Sequence, residues 1–405
     1  MTVIALATTH RRVPVAAGAC LLSFTAFWLA QRAADVSMID LMVYRAEGET
    51  VRAGGDLYAL RTTEAHLPTT YPPFAALLFT PLTLLDVPDI RALAALGNLL
   101  LLIAFVGLSL RLIGGDGRHA RVRTVLGLSA LAVWCEPVWT TLRYGQINLL
   151  LGVLVLWDLS RRPGYRWAGV GIGVAAAIKL TPALFAVFLL LTGAAEALRR
   201  GPWRPPVRHA CVAAVSFAGA TLLAAAALPR DSWRFWTRMV FEASRVGLTE
   251  DTANQSLRGV LARLLHTAEP GAWWAAAAAA GGALGLAVAV AAALRGERAW
   301  AAASCATTAL LVSPVSWSHH WVWCVPMVLL LGSEAVRRGG RGRWAVTGSA
   351  ALVFVSYALW WVPHGAGRLE LDQNFGQMLL SALYVMTGSG FLLIGVRRWR
   401  TSRTA

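Results

Sequence analysis

Charge is what this chain most conspicuously lacks. Asp, Glu, Lys and Arg make up 14% of its 405 residues, where a soluble domain carries roughly 25%. The charges gather in short strips between long apolar stretches, and no block of about 100 residues has a soluble composition. That excludes a water-soluble multidomain protein and describes a polytopic integral membrane protein. Lysine is almost missing: Lys179 is the only one. The net charge of +16 therefore rests on arginine. These arginines sit in hydrophilic strips between apolar segments, with no basic face or base-stacking platform beside them, so the partners implied are anionic membrane lipids and not nucleic acid. The five cysteines (Cys20, Cys135, Cys211, Cys305 and Cys324) are odd in number and show no C-x-x-C spacing. They indicate neither a disulfide framework nor a zinc site, and read as small buried hydrophobes. A Walker A loop, a dinucleotide-binding glycine fingerprint and a G-x-S-x-G elbow are all absent from the sequence.

What is present is a series of apolar segments. After Arg11 and Arg12, the run Val13–Ala30 is longer than the ~7–15 residues of a signal-peptide core, so it reads as an uncleaved first span with a cytoplasmic N-terminus. About twelve transmembrane helices are expected, near 13–32, 91–113, 124–141, 147–160, 166–180, 181–198, 209–228, 272–294, 299–315, 319–336, 344–362 and 374–395. The strips Arg118–Arg123, Arg161–Arg166, Arg199–Arg208, Arg295–Arg298, Arg337–Arg343 and Arg397–Arg403 are basic and expected to be cytoplasmic. One apolar stretch, Tyr71–Leu85, is too short to span and contains Pro72, Pro73 and Pro81. Counting it as a span would invert every later strip, so it is expected to be re-entrant or interfacial. Fold class is thus all-α, in a single membrane-embedded domain covering 1–405, with 33–90 as the first external loop. No fixed-period or inverted repeat is visible, which weighs against a transporter.

Certain polar residues ask for an explanation beyond solvation. The first external loop carries Asp35, Asp40, Glu47, Glu49, Asp56 and Glu64. Asp40 stands alone among apolar neighbours just after a span, where partial desolvation raises a carboxyl pKa and suits it to act as a general base. Lys179 interrupts an apolar run at the external end of its span, beside Pro182. An intramembrane lysine costs ~2.5–3.5 kcal/mol at a helix centre and is normally paired or functional; its compact ammonium suits a phosphate oxygen. His319 and His320 open another span at the same face. Adjacent residues of one helix face cannot both point inward, so one imidazole is expected in the site; their spacing is poor for a metal, and none is expected. Gln146, Asn148, Asn254 and Gln255 lie at further external turns, where amides suit sugar hydroxyls and equally suit capping. The signal is collective, because all of these residues map to one side of the membrane.

The ordered motifs resemble a known family. Asp40-Leu-Met-Val-Tyr44, Gly55-Asp56-Leu-Tyr58, Tyr71-Pro-Pro-Phe74 and Pro81-Leu82 are followed by Tyr144-Gly-Gln-Ile-Asn148 and Lys179-Leu-Thr-Pro182. Then come Asn254-Gln-Ser256 and Ser313-Pro-Val-Ser-Trp-Ser-His-His-Trp321. The set is similar to that of the polyprenol-phosphate-sugar-dependent glycosyltransferases of family 87. The resemblance implies a class C glycosyltransferase fold, with Asp40 as catalytic acid residue acting as base, in a bacterial plasma membrane with the site external. It implies transfer of mannose from polyprenyl-phosphate-mannose to a glycolipid or lipoglycan acceptor, forming α-1,2 linkages with inversion. Arabinofuranose is the alternative sugar, and a lipid-linked-sugar flippase the alternative class. With no cytoplasmic domain for a nucleotide sugar, the donor comes from the lipid phase and no cofactor is expected. Lys179, His319 and His320 would hold the donor phosphate. Tyr44, Asp56, Tyr58, Gln146, Asn148, Asn254 and Gln255 would hold sugar hydroxyls.

Overall fold

The computed structural model describes residues 2–63, 66–114, 118–162, 164–365 and 367–401. Glu64 and Arg403 lie outside them, as do the side chains of Arg11 and Arg12. The described residues are helical almost throughout. Their only strands are the two-residue pair Arg61–Thr62 and Leu67–Pro68, antiparallel in the first loop. Helices α1 (Thr2–Ala33), α2 (Ile39–Arg52), α3 (Pro73–Phe79) and α4 (Val87–Ile113) open the chain. Next come α5 (Arg118–Ala132), α6 (Glu136–Tyr144), α7 (Asn148–Leu159), α8 (Val170–Ile178), α9 (Ala183–Leu198) and α10 (Arg204–Ala227). The C-terminal half holds α11 (Pro229–Thr237), α12 (Leu257–Leu264), α13 (Gly271–Leu294) and α14 (Arg298–Val312). It ends with α15 (Cys324–Arg338), α16 (Arg341–Val355), α17 (Phe375–Ser381) and α18 (Leu383–Thr401).

Four helical segments are long and apolar enough to cross a membrane: Val13–Ala33 of α1, α4, α10 and α13. The count rises to six if the bent pairs α5/α6 and α17/α18 each form one span. The bends are 78° and 66°. Pro137 sits in the first turn of α6, where its missing N–H does no harm but where α5 cannot continue through it. The six other segments expected to span carry helices of only 9–16 residues, α7, α8, α9, α14, α15 and α16. Hydropathy had counted whole apolar stretches, whereas the backbone breaks them at Lys179–Pro182 and at the turn Ser318–Trp323. The outer helices still present lipid-compatible faces. Leu21, Leu22, Val215, Leu222 and Leu223 are exposed, which hydrocarbon tolerates and water does not.

The stretch read as too short to span is short in the structure as well. α3 runs into a 3-10 turn, Thr80–Leu84, and Pro73, Phe74, Ala75, Ala76 and Phe79 are buried. It supports α2, which lies across it. The crossing is close because position 48 has no side chain: a Cβ on Gly48 would stand 2.6 Å from the Phe79 carbonyl oxygen. Tyr44, one turn earlier, stacks on Phe79 with ring centroids 4.4 Å apart. Thus the loop after α1 is a packed shelf that carries Asp40.

Gly48→Val is expected to push α2 off this shelf and destabilise the protein by about 1–3 kcal/mol, the usual range for overpacking. Thermal melting of the detergent-solubilised variant followed by size exclusion checks this.

Candidate active site

Asp40 lies in the first turn of α2, after Met38 in the left-handed region at φ 52°. The turn aims the carboxylate along the shelf into a cavity of about 850 Å³. Burial pushes the Asp40 carboxyl up to about 6, against a hydrogen bond from Gln146 and the charge of Lys179. Its position near the helix N-terminus also favours the ionised form. On the same helix face, burial pushes the Glu47 carboxyl up to about 8. Burial thus raises Glu47 further than Asp40, so Asp40 is the acid of this pair that ionises first.

Gln146 sets the orientation of Asp40. Its Nε2 donates to Asp40 Oδ2 at 2.8 Å, while Oε1 faces the Tyr44 hydroxyl at 2.8 Å and the Tyr71 hydroxyl at 3.1 Å. Those two hydroxyls are 2.8 Å apart. Hydroxyl donors on Oε1 fix the amide the right way round, so its NH₂ must face the carboxylate. Gly145 makes the approach possible. It closes α6 with φ +68°, and a Cβ there would come within 2.7 Å of Leu41 Cβ. The motif Tyr-Gly-Gln thus has a steric reason: glycine brings the next residue against α2.

Lys179 forms the other half. Helix α8 stops at this residue, which is extended, and α9 begins after Pro182. Its Nζ lies 3.3 Å from Asn148 Oδ1, 3.0 Å from His320 Nε2 and 5.4 Å from the centre of the Tyr71 ring. His320 Nδ1 accepts the Trp317 N–H at 3.2 Å, so a neutral ring carries its proton on Nε2. An ammonium and an Nε2–H cannot satisfy one another. Both groups line the cavity, where a shared acceptor such as a phosphate oxygen would take a hydrogen bond from each. Tyr71 joins the halves, with its hydroxyl toward Gln146 and its ring over Lys179.

Both histidines line the cavity, contrary to the expectation that only one would. They stand in a 3-10 turn and not on one regular helix face, and their rings cross at 89°. Thr141 Oγ1 and Asn148 Nδ2 donate to the His319 carbonyl at 2.8 and 3.0 Å. His319 Nε2 is buried with no hydrogen-bond partner among the described residues. Beneath the turn, buried Glu136 accepts from Thr140, Ser318, Trp360 and Tyr384 at 2.7–3.1 Å. It ties four segments together behind the cavity.

Of the residues expected from sequence, Asp40, Tyr44, Gln146, Lys179, His319 and His320 line the cavity. Asn148 lies just behind, holding Lys179 and the histidine turn. Four others do not reach the cavity lining. Asp56 pairs with Arg234 at 2.7 Å and caps the turn to Ala59. The Tyr58 hydroxyl donates to the Tyr71 carbonyl at 2.9 Å. Asn254 and Gln255 are fully buried, and their amides are spent on the backbone of Thr249, Thr252, Ser316, Ser381 and Tyr384. They brace the wall. Sequence reading missed Tyr71, Tyr144, Arg245, Asp251, Trp360 and His364, all of which line the cavity. Tyr71 and Tyr144 had a signal in Tyr-Pro-Pro-Phe and Tyr-Gly-Gln-Ile-Asn; the other four had none that distinguished them from structural residues.

A helical, membrane-embedded chain with a large cavity lined by a desolvated carboxylate and a lysine has the make-up of an integral membrane glycosyltransferase. The description of glycosyltransferase family 87 matches residues 70–314, and the chain belongs to that family. It is 35% identical to a polyprenol-phosphate-mannose-dependent alpha-(1-2)-phosphatidylinositol mannoside mannosyltransferase of Mycobacterium tuberculosis, over 74% of this chain and 71% of the relative. A corresponding pentamannoside mannosyltransferase of Mycolicibacterium smegmatis is 35% identical over 75% of this chain and 72% of the relative. The crystal structure of ArnT from Cupriavidus metallidurans bound to undecaprenyl phosphate aligns with 95% of this chain and 78% of its own, at 15% identity and a TM-score of 0.40. That superposition is too loose to build on.

Asp40→Asn should keep the Gln146 contact but lose the base, so activity should fall by at least 10²-fold. A carboxyl raised from 3.8 to about 6 is one whose ionisation folding disfavours. Stability is fully present below pH ~4 and is eroded by about 3 kcal/mol as pH rises through 6. The variant should therefore melt no lower than wild type at pH 7.5, and wild-type kcat/KM should drop as pH falls through about 6. Paired melting curves and a pH profile check both.

Proposed function

We propose that this chain transfers mannose from polyprenyl-phosphate-mannose to a hydroxyl of a lipid-linked glycan, forming an α-1,2 linkage with inversion. The named relatives use that donor and act on phosphatidylinositol mannosides. The observation that carries the reading is the Gln146-oriented Asp40 sharing one cavity with Lys179 and His320. In this reading Asp40 takes the acceptor hydroxyl proton as its oxygen bonds to the anomeric carbon. The bond from that carbon to the phosphate oxygen breaks, and its electron pair leaves on polyprenyl phosphate. Lys179 and His320 take up the developing charge where water is scarce, which makes each donor worth more than in solution. A single displacement turns a β-linked donor into an α-linked product. It needs one carboxylate, not the pair used by glycosidases. Tyr44 and Gln146 remain as sugar-facing groups at the cavity wall, and His319 offers its unpartnered Nε2.

The site is read as opening on the external face of a bacterial plasma membrane, within a class C architecture. Residues 1–405 are read as one domain, which a large buried core running from Phe27 to Leu392 supports.

Purified protein in nanodiscs with radiolabelled polyprenyl-phosphate-mannose and a synthetic phosphatidylinositol mannoside should yield a product cleaved by α-1,2-mannosidase. Lipid translocation without product would instead favour a flippase. Lys179→Ala should raise the donor KM at least tenfold; an unchanged value removes it from the donor site. For sidedness, cysteines at Gly54 and Leu248 should react with an impermeant maleimide on intact cells, and one at Arg337 only after permeabilisation. The background for this labelling replaces exposed Cys211.

A further inference from the structure

The proposed chemistry uses Asp40, Lys179 and the histidine turn, yet the cavity extends past them to a wall with different character. Asp251, Tyr144, Trp360 and His364 line that part. The charge acting on Lys179 is that of Asp40. The charges acting on Asp251 are those of Glu370, Arg263 and His364. Tyr144 feels the charges of both Asp40 and Asp251.

This wall is rigid. Buried Arg263 donates to the carbonyls of Glu250, Asp251 and Asn254 at 3.1, 2.8 and 3.3 Å. Asn254 and Gln255 strap the same loop to the strand of chain before the histidines. The amides and the guanidinium are consumed inside, and the charged residue that this loop contributes to the cavity lining is Asp251. Its Oδ1 accepts the Ala253 N–H at 2.7 Å, and its Oδ2 has no hydrogen-bond partner among the described residues. Trp360, on the lining of the same cavity, is pinned by its Nε1 to Glu136 at 3.1 Å, with the His364 ring 5.3 Å away. The indole N–H is thus turned inward and the ring carbons are left to the cavity.

A carboxylate oxygen beside a fixed indole and an imidazole matches one ligand chemistry. A hexopyranose has an apolar C–H face that packs on an aromatic ring, and a rim of hydroxyls that donate to a carboxylate. We propose that Asp251, Trp360 and His364 form the subsite that holds the terminal hexose of the acceptor glycan, with its reacting hydroxyl turned toward Asp40. The inference rests on the glycan-acceptor reading above and deepens it.

The test uses the full chain in nanodiscs, polyprenyl-phosphate-mannose as donor, and octyl α-D-mannoside as a minimal acceptor. Asp251→Asn and Trp360→Ala should each raise the acceptor KM about tenfold or more, the range for a lost charge-assisted bond or ring contact. Donor KM should stay within about twofold, and Trp360→Phe should recover part of the loss. An acceptor KM unchanged in Asp251→Asn overturns the subsite. So does a rise in donor KM alone, which would make the wall a donor-sugar site. A parallel rise in both constants with a lowered melting temperature reduces Asp251 to a brace and also overturns it. Failure of wild type to transfer mannose to any acceptor is a different result, because it sinks the parent reading and this inference with it.

Discussion

A carboxylate and an ammonium placed together in a lipid-embedded bundle each demand compensation for lost water, and the architecture around the cavity follows from how that demand is met. Isolated ions in a low-dielectric interior shift their pKa and neutralise unless partners hold them charged. Asp40 is supported by an oriented amide, the first turn of α2 and the distant charge of Lys179. Lys179 is supported by Asn148, by the face of Tyr71 and by Asp40. The compensation is deliberately incomplete in chemical terms. A base fully satisfied by donors is a poor base, and a cation locked in a salt bridge has no charge left for a leaving group. Here the two are kept in one cavity without touching, and Tyr71 spans the gap.

The supporting shell is built from buried polar groups, of which Arg263, Asn254 and Gln255 meet backbone and Glu136 meets four side chains. Arg263, Asn254, Gln255 and Glu136 are all buried, and each gathers three or more partners from separate segments. Such groups are expensive when left unpaired and confer uniqueness when satisfied. They explain how short helices can hold a defined wall. A bundle of regular spans would present only side chains to the cavity. This one ends helices at the cavity edge and turns the chain there, so that loop residues face inward while their amides and carbonyls are accounted for.

Much of this was legible from residues alone, and the exceptions have physical causes. The apolar runs and the one-sided polar turns mark a membrane enzyme because lipid and water sort residues strongly. Asp40 and Lys179 stood out because a lone charge in apolar surroundings is rare. What was not legible is where the apolar runs bend, since hydropathy sums composition and is blind to the 78° break before Glu136. Asn254 and Gln255 were expected to face sugar because an amide has the same inventory of donors and acceptors whether it meets a hydroxyl or a peptide group. Asp251 lies three residues before Asn254 and reads as an ordinary loop acid. Only the strapping of its neighbours reveals that it is the charged residue this loop contributes to the cavity lining.

The contact at Gly145 also has a consequence for how the protein can change over generations. Any replacement there adds a Cβ against Leu41 and Met38, so the position has no neutral alternatives of its own. A smaller side chain at 38 or 41 does not reopen the position, because the contact is with their Cβ atoms and the backbone at 145 is left-handed, at φ +68°. Two stretches of chain about a hundred residues apart are therefore bound into one heritable unit, and the spacing between carboxylate and amide is inherited as a steric pact between them.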